Sequence, residues 1–504
     1  MIRDLIQPGY FMAKVDMKDA YFSIPICNKD RNYLALNYEG KLYRFRALPF
    51  GLSSAPYAYT RLVKPVAASL REKGMRLLVY LDDWIFLAES KERLRQQLSI
   101  AMKIFEDLGF IVNKEKSQLE PVQRIEFLGM TIDSRSFLFE VPEKKIANIS
   151  GIAKQLLYSK EGVSLRAIAE FIGKVNSITI ACKVATFFLR NLQMWLASFT
   201  PVSSEDYESI QTIPDRCRAD LEWFLSDFPK YTSEPIVPPE PSMVISSDAS
   251  DQGWGACCGE QTARGRWSIS EKAWHINERE LTACFFGLRC FAEKMRNSTV
   301  KVELDNTTAV WYLNKRGGTK SRALNLIALT IARWCLARGI HLIACYRPGV
   351  ENVRADALSR NFEDSSDFSL DPVTAMSLFQ RWGVPEVDLF ASRSNAKCQK
   401  YFSFLPDPDS TAVDAFKQSW LGISAYAFPP FSLVGRVIAK AVRERARLIL
   451  VCPRWPSQPW WPLVQQYSQD LVQIPRCPDL LTDPTGTPHP LLRKESFTLI
   501  ACRI

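Results

Sequence analysis

The sequence predicts a multidomain chain of mixed α/β and α+β class, and three observations carry that expectation. At 504 residues the chain exceeds what one hydrophobic core usually spans. Two punctuated stretches divide it. Residues 232–242 (TSEPIVPPEPS) hold four prolines, and residues 362–372 (FEDSSDFSLDP) are acidic, serine-rich and end in proline, so both are expected to be connections. The hydrophobic period also changes along the chain. Strand-like alternation with turn signals runs to about residue 140, helical patterning follows as in 165–196, and strands alternate with helices in 243–361. The expected domains are therefore 1–140, 141–231, 243–361 and 373–504, the last having the least regular pattern.

Composition narrows the function classes. Hydrophobic residues at 47% and charged residues at 23% fit a globular chain and exclude wholesale disorder. Lys+Arg 64 against Asp+Glu 54 leaves a net charge of +10, which permits a polyanionic partner. Thirteen cysteines, an odd number with no CxxC pair, argue against a disulfide scaffold or a zinc ribbon and for reduced thiols. His275, His341 and His489 are too few for a histidine-based zinc site or a Ser-His-Asp hydrolase. No apolar run approaches the ~20 residues of a spanning helix, and the start, MIRDLIQPGYF, lacks an apolar signal region. The expected setting is intracellular, in cytoplasm or nucleus, without a membrane partner.

Chemistry enters with the carboxylates. VDMKDAY (15–21) reads as a strand that ends at Asp16 and leads into a turn or helix. LLVYLDDWIFLA (77–88) reads as a β-hairpin with Asp82 and Asp83 at its tip. An Asp pair in a turn is, taken alone, ordinary turn chemistry. Here both flanks are strongly apolar, so two adjacent anions crowd a short turn beside a core, and a divalent cation relieves the repulsion. Oxygen donors without His or Cys favour Mg²⁺ over zinc.

VDMKDAY, LPFGLSSAP (48–56), YLDD (80–83), NKEKS (113–117) and FLGMTID (127–133) stand in the order and spacing of the palm motifs of retroelement reverse transcriptases, which this region resembles. The resemblance implies that Asp16, Asp82 and Asp83 hold two Mg²⁺ ions for nucleotidyl transfer. It makes Tyr21 the gate residue that selects dNTPs, places Phe50 and Gly51 against the incoming nucleotide and template, and places Lys116 near the triphosphate. Asp19 is expected to serve a local salt bridge or cap. The first motif starts at residue 15, whereas the family has a fingers region before it, so the expected fold is a palm with fingers largely missing and a helical thumb over 141–231.

A second carboxylate set lies in 243–361. SSDASDQGWGA places Asp248 at the end of a strand, INERELTA places Glu280 at a helix start, VELDN ends a strand at Asp305, and VRADALSR puts Asp356 on a last short helix. The stripe Leu281, Cys284, Phe285, Leu288, Ala292 and Met295 is expected to hold the helix on a sheet and leave Glu280 at its edge. Each acid alone reads as a cap. Together, in the order Asp, Glu, Asp, Asp, they resemble a retroelement ribonuclease H domain. That resemblance implies two further Mg²⁺ ions and cleavage of RNA in RNA–DNA hybrids. Its ELxA pattern selects Glu280 over Glu278, and Tyr346 stands where many relatives carry His.

The last segment, through DLFASRSNAKCQKYF (388–402), AVDAFKQSW (412–420) and AFPPF (427–431), resembles the tail of DIRS-type retrotransposon polyproteins, which is similar to phage adenine-N6 methyltransferases. The resemblance implies a methyltransferase-like α/β domain. Phe428 replaces the Asp or Asn that accepts from the adenine amino group, so no methyl transfer is expected and S-adenosylmethionine is a doubtful cofactor. Asp388 is expected to orient a loop near a cofactor, and Phe431 to stack on a base. The expected partners are RNA template, DNA primer, RNA–DNA hybrid and dNTPs. Protease and zinc-knuckle motifs do not occur, so other element-encoded proteins are expected to supply those functions. The alternatives are a truncated or domesticated nucleic-acid-binding remnant and a DNA methyltransferase with a vestigial polymerase.

Overall fold

The segment FMAKVD makes the first strand, β1 (Phe11–Asp16), buried on both faces, which the computed structural model sets inside an antiparallel sheet. The structure describes residues 2–201, 203–362, 368–484 and 486–504. It is a mixed α/β multidomain fold of two units, Met1–Pro239 and Glu240–Ile504.

In the first unit β1 is followed by an exposed hairpin, β2 (Ala35–Tyr38) and β3 (Lys41–Arg44), and by helix α1 (Ala55–Glu72). Then come β4 (Arg76–Tyr80), β5 (Asp83–Ala88), α2 (Lys91–Asp107), β6 (Gln118–Val122), β7 (Arg124–Phe127), β8 (Met130–Asp133) and β9 (Leu138–Glu140). The sheet order is β4-β5-β1-β6. Ala13, Val15, Trp84 and Phe86 from its strands share one core with Tyr59, Val63 and Ala67 of α1 and Leu94, Leu98 and Phe105 of α2. These two long helices correct the expectation of strand-like structure up to residue 140. Their apolar stripes step by three and four residues, and Pro65 inside α1 obscures the first of them.

The rest of the unit is largely helical: α3 (Glu143–Leu157), a two-residue strand β10 (Val163–Ser164), α4 (Leu165–Asn176), α5 (Arg190–Ala197), β11 (Ile210–Gln211) and α6 (Asp215–Ser226). The proline-rich stretch is not wholly a linker. Its start forms β12 (Ser233–Pro235), which pairs with β9 at the edge of the sheet β12-β9-β8-β7. An edge strand tolerates proline because one side needs no ladder hydrogen bond.

The second unit opens with β13 (Met243–Ala249), β14 (Gly253–Cys258) and β15 (Gln261–Arg266), then α7 (Ile269–Lys272), α8 (Ile276–Ala292), β16 (Thr299–Leu304), α9 (Thr307–Asn314), α10 (Arg322–Leu336), β17 (His341–Tyr346) and α11 (Val353–Arg360). Its five-stranded sheet has the order β15-β14-β13-β16-β17, antiparallel from β15 to β13 and parallel from β13 to β17. Helices α8 and α11 both lie against β13 and β14. The end of α8 at Ala292 leaves Met295 outside the expected stripe, and Phe285 is only partly buried.

The second connection, expected over 362–372, is ordered at both ends. Phe362 is buried and Ser369–Leu370 form a strand, while 363–367 lie outside the described residues. The elements that follow are β18 (Ser369–Leu370), α12 (Pro372–Trp382), β19 (Val387–Asp388), β20 (Lys400–Ser403), β21 (Ala412–Val413), β22 (Ser424–Ala427), α13 (Val434–Glu444), β23 (Arg447–Pro453), α14 (Trp461–Tyr467), β24 (Asp470–Gln473), β25 (Leu481–Thr482) and β26 (Leu499–Arg503). They build a seven-stranded sheet in the order β21-β20-β19-β22-β23-β26-β24. Strands β21 to β23 run parallel, and β26 runs antiparallel between β23 and β24. The two sheets of this unit are tied by Arg393, whose Nη1 and Nη2 each donate to Glu271 at 2.7 Å while the guanidinium lies 4.6 Å from the Phe286 ring centre.

Gly255 on β14 sets how closely α11 approaches the sheet. A Cβ there would lie 2.5 Å from the Ala355 carbonyl oxygen and 2.6 Å from Leu358 Cβ. Gly255→Ala is therefore expected to destabilise the folded chain by about 1–3 kcal/mol through overpacking, read as a lower urea midpoint at unchanged slope. A midpoint equal to the parent's would contradict the packing described here.

Candidate active sites

The β4–β5 hairpin pairs Tyr80 with Asp83, so Leu81 and Asp82 form its two-residue tip. Leu81 has φ +53°, a left-handed conformation that bulky residues rarely adopt and that a packed surround must hold in place. The tip is tied to the end of β1, because the Met17 N–H donates to the Asp82 carbonyl at 3.0 Å and Asp16 sits opposite Asp83 in register. Asp16 is 8% exposed and its own N–H donates to Ser117 Oγ at 2.9 Å. Burial raises its pKa first, then the charges of Asp82 and Asp83, with Lys116 and Lys14 opposing. Lys14 forms an ion pair with Asp83 at 2.9 Å. It lies two residues before Asp16 on the same strand and so on the same face.

The other residues implied for this site gather beside it. Tyr21 lies in a short 3-10 turn (Ala20–Ser23), its ring centre 5.2 Å from Phe50 and 5.9 Å from Tyr59. Its phenol is pushed up by burial and by Asp82. Phe50 is 67% exposed, and Gly51 has φ +89°, which a side chain would strain. Lys116 stands near enough to Asp16 to lower its pKa. Asp19 precedes the Tyr21 turn, but its side chain makes no capping hydrogen bond; the backbone carbonyl accepts from Phe22 instead.

In the second unit Asp248 is the last residue but one of β13, Asp305 follows β16, and Glu280 reaches them from the second turn of α8. Asp248, Glu280 and Asp305 each offer a carboxylate oxygen, and these lie within 4.8 Å of one another. Among the described residues no other group of three or more His, Cys, Asp or Glu converges this way. Glu280 is not left at the helix edge as the stripe suggested. It is 4% exposed, because both the sheet and α9 crowd this face of α8. Glu278 stays half-buried outside the cluster. Asp356 on α11 remains apart, held by Arg360 Nε at 2.6 Å, though its charge still raises Asp248 and Asp305. Tyr346 is exposed at the end of β17.

Burial is the first cause of every shift in the cluster. It lifts Asp248 to about 6 and Glu280 to about 9, reinforced by the neighbouring carboxylates. Ser359 Oγ donates to Asp248 Oδ2 at 2.7 Å and opposes the shift. Glu280 Oε2 is buried with no hydrogen-bond partner. Three oxygen donors with an orphaned buried oxygen among them fit a hard divalent cation, Mg²⁺ included. Asp16, Asp82 and Asp83 have the same donor chemistry but do not converge as tightly. Sequence reasoning missed Lys14 and Ser359, although strand period two and the three-residue step from Asp356 to Ser359 were readable signals.

Residues 4–132 match the family described as reverse transcriptase (RNA-dependent DNA polymerase). The enzymatic polyprotein of Figwort mosaic virus is 23% identical over 374 residues, covering 71% of this chain and 52% of that one. The transposon Tf2-3 polyprotein of Schizosaccharomyces pombe is 20% identical over 405 residues, covering 74% of this chain and 27% of that one. Among solved structures, the foamy viral protease-reverse transcriptase in complex with RNA/DNA hybrid aligns with 68% of this chain and 44% of that chain, at 16% identity and a TM-score of 0.40. The chain therefore carries a reverse transcriptase domain with polyprotein homologues in pararetroviruses and Tf2 retrotransposons, and spans about half or less of their length. No described helix is long and apolar enough to cross a membrane.

The raised carboxylates make stability depend on pH. The folded chain retains protons at Glu280 and Asp248 that the unfolded chain has released. The contribution of these two groups to metal-free stability is thus greatest in acid and falls as pH climbs from the ordinary carboxylate range to about 9. Glu280→Gln keeps the shape and removes the charge. It is expected to raise the metal-free melting temperature at pH 8 by roughly 2–4 °C, the shift of about 1 kcal/mol in a domain of this size, and to flatten its pH dependence in scanning fluorimetry with chelator present. A lowered melting temperature would show that the glutamate charge is compensated.

Proposed function

We propose that the chain is an RNA-directed DNA polymerase fused to a ribonuclease H of a retroelement, acting on RNA template, DNA primer and RNA–DNA hybrid with dNTPs. The observation that carries the reading is that the reverse-transcriptase-matching region closes two adjacent strands with Asp16 and with the Asp82-Asp83 tip. In this reading 1–140 serve as palm, 141–231 as thumb and 243–361 as the nuclease.

Asp16, Asp82 and Asp83 would hold Mg²⁺ in the polymerase, and Asp248, Glu280, Asp305 and Asp356 in the nuclease. When bound, the ions supply positive charge where phosphoryl transfer accumulates negative charge. The chain's own groups position the reactants. Lys14 fixes Asp83, Ser359 fixes Asp248, the Tyr21 ring closes the space beside the nucleotide sugar, and Lys116 offers a proton donor near the leaving group. Cytoplasm or nucleus would supply the substrates, and other element-encoded proteins would complete the cycle.

For the last segment, the proposed fold is methyltransferase-like without methyl transfer, as in the tail of DIRS-type elements. The order of its seven-stranded sheet, with one antiparallel strand, and the Phe428-Pro429-Pro430-Phe431 loop at the end of β22 support this reading. Phe428 offers no side-chain acceptor for an adenine amino group.

Asp82→Asn is expected to reduce Mg²⁺-dependent primer extension more than about 100-fold while leaving hybrid affinity, which rests on phosphate contacts, nearly unchanged. Asp248→Asn should do the same to RNA cleavage and spare extension, since the two sites lie in separate units. Extension at parental rate in Asp82→Asn would refute the polymerase assignment. If the parent binds hybrid yet neither extends nor cleaves, the remnant reading holds instead. Radiolabelled methyl transfer from S-adenosylmethionine to DNA should be absent in the parent and gained, if at all, only in Phe428→Asn. Robust transfer by the parent would overturn the tail reading.

A further inference from the structure

Four carboxylates are implied for the nuclease site, and the structure gathers three of them. Asp248, Glu280 and Asp305 offer oxygens within 4.8 Å of one another, and Asp356 is not in the group. Its carboxylate is engaged instead by Arg360, four residues on and so on the same side of α11, whose Nε donates to Asp356 Oδ1 at 2.6 Å. The helix that carries both is fixed in place. It lies against β13 and β14, and a Cβ at Gly255 would meet it. Its end is clamped from β15, where Arg264 Nη1 donates to the Asn361 carbonyl at 2.6 Å and Arg266 Nη2 to the Phe362 carbonyl at 3.1 Å. Ser359, fully buried, places its Oγ 2.7 Å from Asp248 Oδ2 and 2.8 Å from the Asp356 carbonyl. With the backbone pinned, side-chain rotation is what can bring the fourth carboxylate to the other three.

That rotation has an ion pair to break, and the pair is a weak one. The side chains of Asp356 and Arg360 are 42% and 59% exposed, and water competes well for such partners. The other cation beside the cluster is held quite differently. Arg279 is buried, and its Nη1 and Nη2 donate to the Ser250 carbonyl at 3.1 Å and to Asp251 Oδ1 at 2.8 Å. A buried guanidinium tied at two points is a fixture, whereas an exposed one on a single carboxylate can leave. The charge of Arg360 still reaches the cluster, since it opposes the upward shift of both Asp248 and Asp305. A divalent cation brings twice that charge to the same oxygens and is the stronger partner at close range.

We propose that Arg360 is a built-in counter-ion of the metal-free site, which holds Asp356 out of the carboxylate cluster and competes with a divalent cation for it. The fourth carboxylate then joins the other three only as the cation displaces the guanidinium. Arg360 is a positioning residue in this account. It weakens cation binding through Asp356, and in exchange the empty site does not carry a fourth unpaired negative charge beside three that already repel one another. The inference rests on the reading of this site as a metal-dependent nuclease.

The test reads cation binding at this site in the full chain without any turnover. Fe²⁺ is loaded anaerobically, and a pulse of peroxide then cuts the backbone beside the bound ion, so the fragments report where it sat. The Fe²⁺ concentration that gives half-maximal cutting near residues 248 and 356 measures affinity, and cuts near Asp82 in the other unit serve as an internal reference. Arg360→Gln is expected to lower that concentration about threefold, the scale of an exposed ion pair, and to leave the reference unchanged. Arg360→Lys keeps the charge and should stay near the parent. In an Asp356→Asn background the effect of Arg360→Gln should largely vanish, because the partner for which the two cations compete is gone. Parental affinity in Arg360→Gln, or an undiminished gain in the Asp356→Asn background, would overturn the proposal and leave the metal site standing. Absence of cutting near 248 and 356 in the parent would overturn the nuclease reading and the proposal with it.

Discussion

The five-stranded sheet of the second unit and the helices packed on it are arranged around the cost of gathering carboxylates where water is scarce. Asp248, Glu280 and Asp305 repel one another, and burial raises that repulsion by removing the solvent that would screen it. Only a rigid surround can impose such a cluster. The parallel pairing of β13 with β16 brings two strand ends side by side, α8 delivers the third carboxylate from above, and α11 closes the site with Ser359 on Asp248. The closeness of α11 in turn depends on a glycine in β14. Asn352 fixes the start of that helix by donating to the Ser247 carbonyl at 3.0 Å.

The first site meets the same electrostatic problem differently. Its carboxylates sit on a hairpin tip near solvent and on a buried strand end, and a lysine on the adjoining strand takes one of them. Desolvation falls on Asp16, whose carboxyl burial pushes up, and the tip adds backbone strain at Leu81. The two sites thus differ in what they hold ready: one a buried cluster whose carboxyl pKa values are all pushed upward, the other a set of one buried carboxylate and two nearer solvent, partly neutralised by its own chain.

How much of this was legible follows from element length. Asp16, Asp248 and Asp305 were readable because each lies at or next to the end of a strand of six or seven residues, long enough for an apolar run to mark it. Helices α1 and α2 were hidden by the strands around them and by Pro65, although their stripes were present. The burial of Glu280 could not be read from its helix, since it results from strands and a helix distant in sequence. The seven-stranded sheet was least legible of all. Strands such as Val387–Asp388 and Ala412–Val413 are two residues long, too short for any period, and their parallel pairing is decided by long-range packing.

The pair formed by Arg393 and Glu271 has a consequence for how such a chain can be rearranged over evolutionary time. Glu271 is 9% exposed at its side chain and already serves the cap of α7, so it is anchored whether or not its partner is present. Deleting the tail would leave a desolvated anion on α7 without its cation and strip that cation from the face of Phe286. The tail is therefore not a freely exchangeable cassette. A recombinant that swapped it would keep a sound neighbour only by importing an arginine at the equivalent place, and lineages that shed it should show Glu271 replaced by a neutral residue.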